Sequence, residues 1–149
     1  QKVDIITIDM GCKVNGYCSD MTRTIFVGEV PKNMKDVYDL VLKNQEQVLD
    51  DMHDGASTKQ ISKMVDNDFR LHNYDLIHAL GHGVGLDIHE GPVLSINSEN
   101  TLKENMIVTD EPGIYIPGQF GIRIEDTVLI NKGTCEPLTK SNKKYVIVR

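Results

Sequence analysis

Five residues in four short blocks of this chain carry side chains suited to divalent metals: Asp9, Asp20, His82, Glu111 and Glu125. The blocks read I-D-M-G at 8–11, Y-C-S-D-M-T-R-T at 17–24, H-A-L-G-H-G-V-G-L-D-I-H-E at 78–90, and T-D-E-P-G with R-I-E-D between 109 and 126. Four carboxylates and one imidazole make a hard, oxygen-rich set. It suits a pair of ions such as manganese or cobalt better than a lone structural zinc, which favours thiolate and imidazole. Two divalent ions carry four positive charges, and the four carboxylates balance them. Water bound between such ions loses a proton near neutral pH and attacks a carbonyl that a metal polarises. His89, outside the ligand set, could hydrogen-bond the resulting oxyanion or move a proton. Glu111 could carry a proton from water to a leaving amine besides binding metal. Arg123, two residues before Glu125 on the same strand face, can steady the ligand carboxylates, and Arg23, three after Asp20, suggests the same.

Two hairpins must position these groups. Val3–Val14 and Tyr17–Val27 are rich in β-branched residues and flank Asn15-Gly16, the strongest short hairpin signal. A two-residue loop sets Val14 against Tyr17 and therefore Asp9 against Thr22. Asp20 then shares a face with Asp9 as its diagonal neighbour, at roughly 7–8 Å. That suits carboxylates flanking metals roughly 3.5–4 Å apart. A second hairpin runs from about Met106 to Ile116 and from Ile122 to Ile130. With a three-residue loop, Pro117–Gln119, it sets Glu111 directly opposite Glu125.

Between the hairpins, Pro31 can open a helix whose stripe includes Val37, Tyr38, Val41, Gln45 and Val48. Asp54-Gly55 ends that segment. Ser57 with Gln60 is a capping-box pattern for a second helix bearing Ile61, Met64, Val65 and Phe69. Both stripes read as core faces against a sheet. His78 and His82 have the spacing of a helical zinc pair, but Gly81, Gly83 and Gly85 disfavour a helix there. The same glycines let backbone approach a group bound at His82. The G-H-G-V-G run lacks the Lys-Ser/Thr of a phosphate loop. Lys144–Val148 can add a last short strand.

The 149 residues suffice for one domain, and 40% hydrophobic with 26% charged residues is ordinary for a soluble fold. A formal charge of −6 excludes a basic nucleic-acid footprint. No apolar run is long enough for a membrane helix, and no signal-peptide pattern is present. Cys12, Cys18 and Cys135 form no metal or disulfide framework and read as reduced thiols of a cytoplasmic protein.

The motifs together resemble the pita-bread metallopeptidases, in particular the branch of Xaa-Pro aminopeptidases and Xaa-Pro dipeptidases (prolidases). The matching blocks are D-M-G, Y-C-S-D-M-T-R-T, H-A-L-G-H-G-V-G-L-D-I-H-E-G-P and T-D-E-P-G-I-Y-I-P-G-Q-F-G-I-R-I-E-D-T-V. The resemblance implies an α+β fold, with a curved antiparallel sheet and helices on its outer face. It implies two metal ions, manganese first, with cobalt or zinc as alternatives. Asp9 and Glu111 would be terminal ligands, Asp20 and Glu125 would bridge, and His82 would supply nitrogen. His89 would stabilise the intermediate, His78 would line the substrate pocket, and Arg123 would support the ligands. Substrates would be short peptides cut just before a proline in second position. A methionine aminopeptidase-like exopeptidase and a non-catalytic peptide-binding relative are the alternatives. The family's catalytic domain begins before β-pattern residue Val3, so residues 1–149 are expected to be one domain, the C-terminal portion of a longer one. A truncated chain of this kind is expected to be weakly active or inactive, with strand edges that favour pairing, and the full-length protein to be a homo-oligomer.

Overall fold

A computed structural model describes residues 3–148. In chain order, β1 (Val3–Met10), β2 (Lys13–Val14), β3 (Tyr17–Cys18) and β4 (Met21–Gly28) precede two helices, α1 (Lys32–Asp51) and α2 (Thr58–Leu71). Then follow β5 (Gly81–Gly83), β6 (Glu90–Leu94), β7 (Ile107–Asp110), β8 (Gly113–Ile116), β9 (Phe120–Arg123), β10 (Asp126–Ile130), β11 (Cys135–Pro137) and β12 (Ile147–Val148).

Both hairpins take the expected register. Asn15 and Gly16 have φ of 51° and 90°, the positive pair that a type I′ turn requires. Val14 therefore pairs with Tyr17, and the same count continues beyond a break to pair Asp9 with Thr22. In the second hairpin Ile116 pairs with Phe120 across Pro117–Gln119. Past another break, Asp110 pairs with Asp126, so Glu111 and Glu125 occupy facing positions. Each long arm read from sequence is thus two strands, interrupted at residues 11–12, 19–20, 111–112 and 124–125, so that Asp20, Glu111 and Glu125 lie in the breaks and Asp9 lies near the end of β1.

The strands form a five-stranded antiparallel sheet, β11-β10-β7-β5-β6, and a three-stranded sheet, β1-β4-β12, with two two-stranded ribbons. β12 runs parallel to β4, with Ile147 beside Phe26. An isolated antiparallel bridge, Thr22 to Glu125, joins the two hairpins.

α1 packs on β7, β8, β9 and β11, while α2 packs on β6 and α1. Pro31 is the N-cap rather than the first helical residue: its ψ of 150° is extended, and its carbonyl accepts from Met34 and Lys35. Ser57 caps α2, its side chain accepting from the Gln60 amide at 3.4 Å. Phe26, Val41, Val48, Val65, Phe69 and Ile124 are all fully buried; each contributes about 1.5–3 kcal/mol relative to exposure. Among the described residues no helix is long and apolar enough to cross a membrane.

Candidate metal centre

His82 sits in the middle of β5, where both flanking glycines are in close quarters. A Cβ on Gly81 would run into the Thr109 carbonyl, and one on Gly83 into the Gly91 carbonyl. Thr109 Oγ1 accepts from the His82 amide at 3.0 Å. His82 Nδ1 lies 3.0 Å from the Gly83 carbonyl, a partner that only a protonated nitrogen can satisfy. In the neutral imidazole, the form that binds a metal, Nε2 then carries the lone pair. It points at Glu111 Oε1, 3.3 Å away, and Asp20 Oδ2, 3.7 Å away. Three lone-pair-bearing atoms facing each other this closely repel unless a cation stands between them.

Glu125 completes the cluster. Asp20, His82 and Glu125 each offer a ligand atom within 4.8 Å of the others. Glu125 Oε2 accepts from Thr22 Oγ1 at 2.6 Å, whereas its Oε1 is buried without a hydrogen-bond partner. A buried carboxylate oxygen left bare is costly. Asp9 stands at the rim, its side chain 55% exposed, ion-paired with Arg123 Nη2. The same guanidinium donates to Thr22 Oγ1 at 3.2 Å and to the Tyr115 hydroxyl at 2.8 Å.

A cavity of about 580 Å³ opens beside this cluster, lined among others by His78, His89, Glu111, Tyr115 and Arg123. The His89 ring lies 4.4 Å from that of His82, centre to centre. His78 Nε2 is 3.1 Å from the Tyr115 hydroxyl, and its Nδ1 is 2.7 Å from the Ala79 carbonyl. Residues 1–132 match the sequence profile of Metallopeptidase family M24.

The chain belongs to metallopeptidase family M24.

It is 41% identical over 148 residues to an Xaa-Pro dipeptidase of Pyrococcus furiosus, covering 98% of this chain and 42% of that one. Among solved structures, an X-Pro aminopeptidase from Thermotoga maritima matches with a TM-score of 0.93 at 39% identity, over 97% of this chain and 42% of that one. A prolidase from Thermococcus sibiricus matches with a TM-score of 0.95 at 35% identity, over 99% and 41% respectively. The M24 chain therefore spans about 42% of the length of the relatives it matches, and its fold is the α+β pita-bread fold of those neighbours.

The electrostatics of the M24 chain fit divalent cations. Burial, then the charge of Glu111, pushes the Glu125 carboxyl up to about 8. Burial also raises Glu111 and Asp20, Asp20 further through the charge of Asp9. Such shifts mark carboxylates gathered without enough positive charge. Arg123 pairs with Asp9 at the rim, and among the described residues no guanidinium or ammonium forms an ion pair with Asp20, Glu111 or Glu125.

Arg23 differs from expectation. It does not touch a ligand carboxylate. Its guanidinium instead donates to the Glu125 carbonyl at 2.6 Å, the Thr22 carbonyl at 2.8 Å and Asp126 Oδ1 at 2.7 Å. It steadies the bridge between hairpins from behind.

Thr22, Thr109 and Tyr115 touch the site without having been singled out in the sequence. Alternation held a signal for all three: Thr22 is the register partner of Asp9, and Thr109 and Tyr115 each lie an even number of residues from Glu111. The Tyr115 ring occupies the space that side chains at Gly113 and Gly121 would fill.

Proposed function

We propose that this chain supplies the two-metal centre of an exopeptidase that hydrolyses the bond preceding proline in short Xaa-Pro peptides. The observation that carries the reading is the convergence of the bare His82 Nε2 on Glu111 and Asp20 beside the unpartnered Glu125 Oε1. Asp9, Asp20, Glu111 and Glu125 would hold the ions through carboxylate oxygens, and His82 would supply nitrogen. Manganese is the proposed metal, with cobalt or zinc as alternatives. When bound, the ions supply an ionised water and polarise the scissile carbonyl.

The chain's own side chains have separate duties in this reading. His89, facing the cavity beside His82, donates a hydrogen bond to the oxygen of the attacked carbonyl. Glu111, fixed by Thr109 Oγ1 at 3.1 Å, accepts a proton from water and delivers it to the leaving proline nitrogen. His78, oriented by Tyr115 and the Ala79 carbonyl, lines the substrate side. Arg123 holds Asp9 in place.

The named relatives, an Xaa-Pro dipeptidase and an X-Pro aminopeptidase, support this choice of substrate over a methionine aminopeptidase-like one. The test is release of free proline from an Xaa-Pro dipeptide by the intact protein after chelation and again after Mn²⁺ is restored. Metal-dependent release is expected. Two bound ions with no turnover would leave a peptide-binding module instead. A homo-oligomer and a cytoplasmic location belong to the same proposal. β1 is an edge strand among the described residues, with Ile6 and Met10 exposed, and the three cysteines are free thiols.

A further inference from the structure

Gln45 is a fully buried amide within the apolar stripe of α1. Its Nε2 donates to Asp110 Oδ2 at 2.9 Å and to Asp126 Oδ2 at 3.1 Å. Its Oε1 accepts from Lys143 Nζ at 2.9 Å, and that ammonium lies 3.3 Å from Asp126 Oδ2. Asp110 and Asp126 are direct partners across the β7–β10 ladder, and both are buried. Burial, then the charge of Asp126, raises the Asp110 carboxyl well above the usual carboxylate range, and two facing buried carboxyls carry a desolvation cost that an apolar pair would avoid. Carboxylates at this rung therefore need a reason other than stability.

Their neighbours suggest one. Asp110 precedes Glu111, and Asp126 follows Glu125. Successive strand residues face opposite sides, so the aspartates meet α1 while Glu111 lines the cavity and Glu125 faces Asp20 and His82. One nitrogen shared between two facing strands restrains their separation and their slide past each other. The restraint is itself anchored. The Lys143 carbonyl accepts from the Tyr38 hydroxyl at 2.8 Å, and the Ser141 and Asn142 carbonyls accept from Arg23 at 2.9 and 3.1 Å.

We propose that Gln45, with its amide locked by Lys143, is a positioning residue that sets the spacing of Glu111 and Glu125 by tying their strands together from behind. This rests on the two-metal reading above. The C-terminal segment around Lys143 thereby tunes the centre without touching it.

Mn²⁺ binding to the chain by titration calorimetry, with thermal unfolding of the metal-free form in parallel, tests it. Gln45→Leu is expected to fold and to bind Mn²⁺ roughly tenfold more weakly, the low end of what outer partners of metal ligands contribute. Lys143→Met is expected to show a smaller loss that Lys143→Arg restores. Val48→Ala, equally buried on α1 but outside the network, is expected to lower the unfolding temperature and leave Mn²⁺ affinity unchanged. If Gln45→Leu does not fold, the two Lys143 variants decide. Unchanged affinity in folded Gln45→Leu, or in Lys143→Met where that variant decides, overturns the proposal and leaves the two-metal reading standing. A loss in Val48→Ala as large as in Gln45→Leu does the same. No Mn²⁺ binding by the unsubstituted chain overturns both.

Discussion

The hairpin joining β1 to β4 and the one joining β7 to β10 both turn through a short glycine-containing loop and both have interrupted arms, with Asp20, Glu111 and Glu125 in the breaks and Asp9 still inside β1. Their surroundings differ. The Asp9 side chain is 55% exposed, whereas Glu125 is 1% exposed. β1 lies at the edge of its sheet, while β7 and β10 are interior strands, with α1 packed on β7. Asp9 keeps water and has Arg123 as a counter-ion. Glu125 has a threonine hydroxyl on one oxygen and no protein partner among the described residues on the other. One device for setting register has thus produced a hydrated, neutralised ligand position and a dry, uncompensated one. The dry position is where a bound cation relieves the most electrostatic cost, so it should dominate both affinity and stability.

Substitution of the acids should show the largest contrast. Glu125→Gln is expected to weaken Mn²⁺ binding by more than the roughly 10- to 100-fold typical of outer partners, and Asp9→Asn by less than Glu125→Gln. In the metal-free protein the order should reverse in sign. Glu125→Gln keeps the Thr22 hydrogen bond and removes a crowded charge, so its unfolding temperature at alkaline pH should rise. Asp9→Asn loses an ion pair and should give no gain. Equal losses of affinity, by calorimetry, would erase the contrast.

The pH dependence of the metal-free form sharpens it next. Burial first and Glu111 second raise the Glu125 carboxyl from 4.5 to about 8. A carboxyl raised in this way holds its proton more tightly folded than unfolded. Its contribution is therefore full below 4.5 and is lost as pH rises toward about 8. The unfolding temperature of the unsubstituted protein should fall relative to Glu125→Gln across that window, and Mn²⁺ should abolish the difference. A difference that shrinks with rising pH has the wrong sign and would refute the account.

Gly81→Ala probes the packing that lets His82 face the dry pair. Its Cβ would meet the Thr109 backbone carbonyl, an overpacking expected to cost about 1–3 kcal/mol. Chemical denaturation should show the loss, with Mn²⁺ affinity falling in parallel. The turns should show the smallest effect. Gly16→Ala and Gly118→Ala place a side chain at φ of 90° and 72°, each costing about 1 kcal/mol. Gly118→Ala is expected to disturb Mn²⁺ binding more, because its hairpin carries the dry pair. A larger disturbance from Gly16→Ala would count against that ranking.

How much was legible follows from the range of the interactions involved. Asn15-Gly16 and Pro117–Gln119 act over a few residues, and a period of two carries their register along both arms as far as the acids. Ser57 and Gln60 likewise mark the start of α2 locally. Arg23 reaches the backbone of Glu125 and the side chain of Asp126, about a hundred residues away, rather than a ligand carboxylate, and no local pattern distinguishes those partners. Gln45 looked like one more position in an apolar stripe, since its purpose depends on Asp110, Asp126 and Lys143, which no local pattern links to it. The breaks at Gly11-Cys12 and Glu111-Pro112 fall at residues, Gly11 and Pro112, that commonly interrupt strands, but the register on either side runs on unchanged and so gives no other sign of them.

The amino-acid sequence by itself determined which acids share a face, which histidine stands between glycines, and where α2 begins. Turn dihedrals and strand alternation are short-range constraints that the chain cannot evade. The tertiary structure alone decided that the Thr22–Glu125 bridge brings the hairpins together, that Glu125 is dry and Asp9 wet, and that Gln45 backs the centre. Burial and desolvation depend on which surfaces meet, and that is settled by packing across the whole fold.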